Sequence, residues 1–318
     1  MMFHVKQRRR FTWNRSLQSG MPGRVIVVGN AAHDLVYRVP AIPARPIKVV
    51  ATELYECGGG MAANAAVAAA RLGAQVEYWG RVASDALGDR IVADLHSEQV
   101  GVSNVKRIAG ARSPITSILV APTGERLICS FPAPLDPDPA WLPLASVRTA
   151  GAVLVDVRWP AGASAVLVAA RAAGRPALLD ADVGSVDALE RLAGVATHVL
   201  FSQAGLELLG DTLSPYRALA AVRRPYHEVV GVTLGEEGFL WIDAAGEHHI
   251  RSPKVHVVDT LAAGDVWHGA FAVAVAEGQQ IAKAAAFANA AAALKCQRPG
   301  GRLAAPSRPE VEALLLES

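Results

Sequence analysis

Residues 258–271 read VDTLAAGDVWHGAF, with three small residues, Ala262, Ala263 and Gly264, directly before Asp265. Small side chains let backbone N–H groups approach a ligand closely, and the start of a helix favours an anion. A carboxylate in the same turn can take a proton from a hydroxyl lying beside that anion. Together these parts describe phosphoryl transfer, with an amide cradle for the phosphoryl group and Asp265 to orient and deprotonate the acceptor. Taken alone, the same residues also read as an ordinary helix start capped by an aspartate.

A second segment, 57–64, reads CGGGMAAN. Glycines ahead of a helix let backbone lie against a ligand, and Asn64, one turn in, carries an amide that both donates and accepts. By itself this is equally a tight strand-to-helix turn. The third segment, 29–34, is GNAAHD, just past a short apolar run. Ligands bind beyond the carboxyl ends of strands in open α/β sheets, which puts Asp34 where sugar hydroxyls can be bound. The spacing is not G-x-G-x-x-G, which weighs against a nicotinamide dehydrogenase.

The elements that must hold these residues follow from the hydrophobic pattern. RVIVVG (24–29) predicts a buried strand, and 60–72 a helix stopped by Gly73. A strand near 76–79 and a helix over 86–99 come next. Between 102 and 130 the pattern turns to β: ITSILV, a turn at 122–125, then RLICSF. A proline-rich connector over 136–143 leads to strand AVLVDV, a helix over 163–173, and strands PALLD and THVLF. Strand EVVGVTL and a hairpin (GFLWID, then EHHIRS) precede a strand-like KVHVV running into Asp259. Two long helices close the pattern, 263–277 and 279–295, the first amphipathic from Asp265. This alternation predicts a doubly wound, mostly parallel sheet flanked by helices. The β segments near 34–56 and 102–131 do not alternate with helices and predict a small sheet beside the main one, a lid.

The chain of 318 residues is 52% hydrophobic and 19% charged, which excludes disorder and suits one α/β domain with an insertion. The net charge of +2 makes no case for nucleic acid or a membrane. Residues 1–20 carry Lys6, Arg8, Arg9, Arg10 and Arg15 and no acid, leaving 26 basic and 29 acidic residues beyond them. They are expected to be a flexible basic extension ahead of a domain over 21–318. Cys57, Cys129 and Cys296 are odd in number and far apart, fitting neither a disulfide framework nor a zinc site, so a reducing cytoplasm is expected.

Over nearly all of residues 24–306 the chain resembles the PfkB (ribokinase-like) carbohydrate kinases. Both family signatures are present: the glycine motif as Gly58-Gly59-Gly60 to Asn64, and D-T-x-[AG]-A-G-D as Asp259 to Asp265. The resemblance implies Asp265 as catalytic base, Ala262, Ala263 and Gly264 as the anion hole, and Asp34, Gly59, Gly60 and Asn64 on the sugar. It implies a nucleotide loop at 232–238, including Thr233, Gly235 and Gly238, and an adenine border from the helix of Asn289. It further implies ATP with Mg²⁺, a monovalent cation such as K⁺ near Asp259 and Leu261, and a homodimer formed through the lid. Two departures stand out: Ala262 replaces a frequent glycine, and the N-x-x-E that assists metal and phosphate binding appears as Ser202-Gln203-Ala204-Gly205.

Within the family, the stretches GGGMAANAAVAAARLGAQVEYWGRV, LVDVRW and ALKCQRPGGR are similar to the sulfofructose kinases. That likeness implies 6-deoxy-6-sulfofructose as acceptor, its sulfonate held by Lys48 and Arg158, with Ser130 where the subgroup has asparagine. An anionic tail needs cationic donors, and arginine can bind it with two parallel hydrogen bonds. The alternatives are a ribose, fructose or nucleoside kinase in which Lys48 and Arg158 are incidental, or a sugar-binding module without catalysis.

Overall fold

A computed structural model of the chain describes residues 23–209 and 214–317. The expected basic extension over 1–20 lies outside the described residues. In chain order the strands are β1 (Arg24–Gly29), β2 (Ala32–Arg38), β3 (Glu53–Gly59), β4 (Gln75–Ala83), β5 (Val105–Ile108), β6 (Ile115–Val120), β7 (Arg126–Phe131), β8 (Ala152–Asp156), β9 (Ala177–Ala181), β10 (His198–Ser202), β11 (Val229–Thr233), β12 (Phe239–Asp243) and β13 (Gly246–Ile250). The helices are α1 (Met61–Arg71), α2 (Ala86–Ser97), α3 (Pro160–Ala172), α4 (Val186–Ala193), α5 (Gln203–Glu207), α6 (Pro215–Val222), α7 (Ala263–Ala276), α8 (Ile281–Cys296) and α9 (Arg308–Glu317). None is long and apolar enough to cross a membrane among the described residues.

The main sheet runs β13-β12-β11-β10-β9-β8-β1-β4-β5. It is parallel from β11 to β5, and β12 and β13 add antiparallel at one edge. Unbroken apolar strands need protein on both faces, and β1 shows why. Val25 and Val27 belong to the core formed with α1 and α7, while Ile26 and Val28 belong to the core on the opposite face, where α3 lies against β1. The alanine-rich composition has its reason here, since small residues let helices lie close on a sheet buried from both sides.

A second sheet, β3-β2-β6-β7, stands beside the first as the expected lid. Its limits are narrower than expected. Val105–Ile108 (β5) pairs in parallel with β4, from Gly80↔Val105 to Ala83↔Ile108, and so extends the main sheet. Residues 39–52 form an irregular loop between β2 and β3.

Three other expectations are corrected. KVHVV forms no strand, because the chain from 251 to 262 has no regular structure and β13 already closes that edge. The helix begins at Ala263 as expected, and Asp265 lies in its first turn rather than capping it. That helix is also not amphipathic: Val266 to Val275 are all buried, because α7 lies between the sheet, α1 and α8. Between PALLD and THVLF, α4 supplies a crossover that the apolar pattern did not announce.

Candidate active site

The carboxyl ends of β8 and β1 and the start of α1 meet at Asp156, the last residue of β8. Its Oδ2 accepts from the backbone N–H of Asn30 (2.8 Å) and of Ala62 (3.1 Å), and its Oδ1 from that of Arg158 (2.9 Å). Burial raises this carboxyl above its ordinary value, and the three N–H groups oppose the rise. One buried side chain therefore fixes the loop after β1, the start of α1 and the end of β8 in register. The sequence signal for it was only an acidic residue ending an apolar strand.

The glycine turn makes room for two charged groups. A Cβ on Gly59 would lie 2.2 Å from the carboxyl of Asp34, and one on Gly58 would overlap the Arg302 guanidinium. Gly60 adopts φ +91 where the chain turns into α1, a conformation that favours glycine. Asp34 is nearly buried, and burial pushes its pKa up to about 6 against the Thr116 hydroxyl and the Arg302 charge. Arg302, 2% exposed, comes from a 3₁₀ turn at the far end of the chain and was not anticipated.

Asn64 projects from the first turns of α1, and its Nδ2 donates to Asp265 Oδ2 at 2.7 Å. The other half of that amide, Oδ1, is buried without a partner. A buried acceptor left unmade is costly, so it marks a place for a ligand hydroxyl. Burial, the largest cause, pushes the Asp265 pKa up to about 7. The Asn64 N–H opposes the rise, and the carboxylates of Asp182, Asp156 and Asp34 add to it. A base poised near neutrality can both accept and release a proton at working pH. His268, one turn on, holds this end of α7, its ring nitrogens 2.8 Å from Gly264 O and 3.2 Å from Leu200 O.

The turn into α7 is strained in the way an anion site needs. Ala262 stands at φ 64, ψ 12, a left-handed conformation costing a non-glycine residue roughly 1–2 kcal/mol. The Ala263 N–H does not face outward as expected; it donates back to Thr260 O at 3.2 Å. The N–H groups of Ala262, Gly264 and Asp265 have no protein partner among the described residues, and nothing lies within 4 Å of a Cβ built on Gly264. These three amides, free of protein partners, could bind an anion.

Asp259, at the other end of the same loop, is differently engaged. Its Oδ1 accepts from the Leu261 N–H at 2.8 Å, and its Oδ2 from Gly300 and Gly301 at 3.2 and 3.3 Å. Lys295 Nζ lies 3.1 Å from that Oδ2 and donates to Asp259 O at 2.7 Å. Burial alone would raise this carboxyl, but the N–H groups and the ammonium hold it below its ordinary value. The residues expected to hold a monovalent cation therefore do not fit one. N–H donors and an ammonium surround Asp259, not a cage of oxygens.

On the nucleotide side, Thr233 ends β11 with its hydroxyl on Phe201 O (3.3 Å). Gly235, at φ +57, has open space around it, whereas a Cβ on Gly238 would sit 2.1 Å from Ile250 O. Asn289, on the helix expected to border the adenine, spends its side chain within the protein. It is buried, accepts from Trp267 Nε1 at 2.7 Å and donates to Ile250 O at 3.1 Å. Both halves of its amide are spent tying α8 to α7 and β13.

The three residues expected at an anionic tail lie on separate elements. Lys48 is exposed in the 39–52 loop, and Arg158 is exposed just past β8. Ser130 stands in line with Thr116 and Asp34 across the lid (Asp34↔Thr116↔Ser130), its hydroxyl 3.3 Å from that of Thr116. Asp180 and Asp182 were also missed. Burial and the carboxylates of Asp265, Asp182 and Asp156 raise Asp180 well above its ordinary value, and Arg158 opposes them. In place of the usual N-x-x-E, Ser202 donates to Asp182 Oδ1 at 2.6 Å. No group of three or more His, Cys, Asp or Glu could hold a metal ion among the described residues.

A family profile described as pfkB family carbohydrate kinase matches residues 23–308. The ribokinase of Bacillus subtilis is 31% identical over 294 residues, covering 92% of this chain and 99% of that protein. A ribokinase-like chain of known structure from Agrobacterium tumefaciens is 39% identical, with a TM-score of 0.88 over 93% of this chain and 98% of its own. Arabidopsis thaliana ribokinase, solved with ribose and ATP, is 26% identical, with a TM-score of 0.79 over 93% and 99%. The profile match spans both sheets and every residue of the site above. The chain belongs to the pfkB family of carbohydrate kinases, phosphotransferases with an alcohol group as acceptor.

Proposed function

We propose that this kinase transfers the γ-phosphoryl group of ATP to a hydroxyl of a free sugar held between Asp34 and Asp265. The observation that carries this reading is the 2.7 Å bond from Asn64 to Asp265, beside an unpartnered Asn64 Oδ1. That Oδ1 accepts from one sugar hydroxyl while Asp265 takes the proton of the hydroxyl that attacks. The new O–P bond forms as the bond to the leaving ADP oxygen breaks, and the amides of Ala262, Gly264 and Asp265 oppose the charge of the transferred group. Asp34 accepts hydrogen bonds from the sugar's other hydroxyls. Mg²⁺ would arrive with the nucleotide and neutralise phosphate charge, since no carboxylate cluster among the described residues forms a metal site of its own. The lid closes over the sugar so that water does not compete for the phosphoryl group.

Ribose is the acceptor that the relatives support, since the Bacillus subtilis and Arabidopsis thaliana proteins are ribokinases. A second reading, 6-deoxy-6-sulfofructose, is favoured by Arg158 and by the row from Asp34 through Thr116 to Ser130. Coupled ADP-release assays with ribose, fructose and 6-deoxy-6-sulfofructose separate them. A kcat/KM for ribose at least about tenfold above the sulfonated sugar supports the first reading, and the reverse ratio the second. Absence of ADP formation with every sugar would overturn both. The exposed Leu54, Leu127, Ile128 and Phe131 of the lid strands support a homodimer through that sheet, and sedimentation velocity tests it.

A further inference from the structure

Lys295 is the one buried lysine of the described residues, 0% exposed, in the last turn of α8. A lysine without water is tolerated only when its charge is paired and its N–H groups are bonded. Here it meets the backbone oxygen of Asp259 at 2.7 Å and that residue's carboxylate at 3.1 Å. The end of α8 also faces the same loop through Cys296 O, which accepts from the N–H groups of Val258 (2.8 Å) and Asp259 (3.1 Å). Helix carbonyls that could otherwise line a cation are thus turned to the loop's own amides. A positive charge at a helix C-terminus is favoured by the helix dipole.

We propose that the Lys295 ammonium is the resident cation of the phosphate-binding loop, standing where related kinases take up a monovalent cation, so that this enzyme needs none. The loop from Asp259 to Gly264 carries the strained Ala262 and the open amides, and Lys295 secures its first residue from beneath. Lys295 touches neither nucleotide nor sugar, so it is a positioning residue. A tethered cation needs no capture from solution, and the loop is ordered before ATP arrives. The proposal does not depend on which sugar is phosphorylated.

The test compares wild type with Lys295→Met, a substitution that keeps the length of the side chain and removes its charge. Both are exchanged into buffers containing only tetramethylammonium, with nucleotide and Mg²⁺ free of alkali metals, and K⁺ is then titrated at constant ionic strength. Wild-type kcat should change by less than about twofold and its Tm should not move, since no site is left for K⁺ to fill. Lys295→Met should lose about tenfold or more in kcat in tetramethylammonium, the cost of an unpaired buried carboxylate beneath the loop. K⁺ should restore kcat and raise Tm saturably, which a merely structural lysine would not allow. Saturable activation or stabilisation of the wild type by K⁺ would overturn the proposal, as would a folded Lys295→Met with wild-type kcat in tetramethylammonium. The wild-type titration decides alone if the variant does not fold, and its Tm arm needs no sugar.

Discussion

Asp259 and Asp265 belong to one loop, six residues apart, yet they are held in opposite states. Asp259 is surrounded by three N–H groups and an ammonium, which keep it charged. Asp265 is half-buried near the carboxylates of Asp182, Asp156 and Asp34, with one amide to favour its charge, and desolvation pushes its pKa up to about 7. One carboxyl is held as a fixed anion, and the other is poised to exchange a proton near neutrality. The difference lies in what the rest of the chain brings to each: the end of α8 to Asp259, the ends of β8, β9 and α1 to Asp265. Environment, not residue type, assigns the role.

The contrast predicts different failures. Asp265→Asn should lower kcat by about 10²–10⁴, the usual contribution of a positioned acid–base group, with KM for ATP little changed. It should not destabilise the fold. A carboxyl raised from 3.8 to about 7 binds its proton more tightly folded than unfolded, so its contribution to stability is lost as pH rises through that window. Urea titrations between those pH values should show a smaller decline for the variant, and an equal decline would contradict the raised pKa. Asp259→Asn should fail the other way, costing about 3–5 kcal/mol by leaving the Lys295 charge buried and unpaired, as read by urea unfolding near pH 7.

Smaller effects follow at the sugar end. Gly59→Ala should raise the sugar KM about tenfold or more by displacing Asp34, since misplacement near 1 Å can cost up to about 10²-fold, while KM for ATP stays put. The wild-type kcat/KM should rise with pH through about 7 as Asp265 loses its proton. In Asn64→Ala that acid limb should move upward, because the N–H favouring the charged form is gone, with kcat falling by about tenfold. An unmoved limb would mean that another group controls it. Arg158→Ala should change kcat/KM for ribose by less than about threefold, and a larger loss confined to the sulfonated sugar would favour the anionic acceptor.

Much of the site was legible where its parts are local. The turn before α1 needs glycines at 58–60 for reasons that act within a few residues, and small residues before Asp265 announce a turn that exposes amides. What was not legible came from far along the chain. Arg302 fills the space that Gly58 leaves, and Asn289 reads as a ligand residue by its position, but its amide is consumed by Trp267 and Ile250. Strand periodicity could not tell the edge of the main sheet from the lid, so Val105–Ile108 was assigned to the wrong one. A short β segment carries no mark of its partner.

The strand–helix alternation, the two motifs and the chemistry class could be read from the residues alone, because hydrophobic period and backbone permissiveness act over one or two turns. It took the folded chain to set the opposite environments of Asp259 and Asp265 and to bring the Lys295 ammonium against Asp259. Those environments depend on burial and on charges from residues such as Lys295, 36 positions beyond Asp259, and such fields exist only once the chain has closed around them.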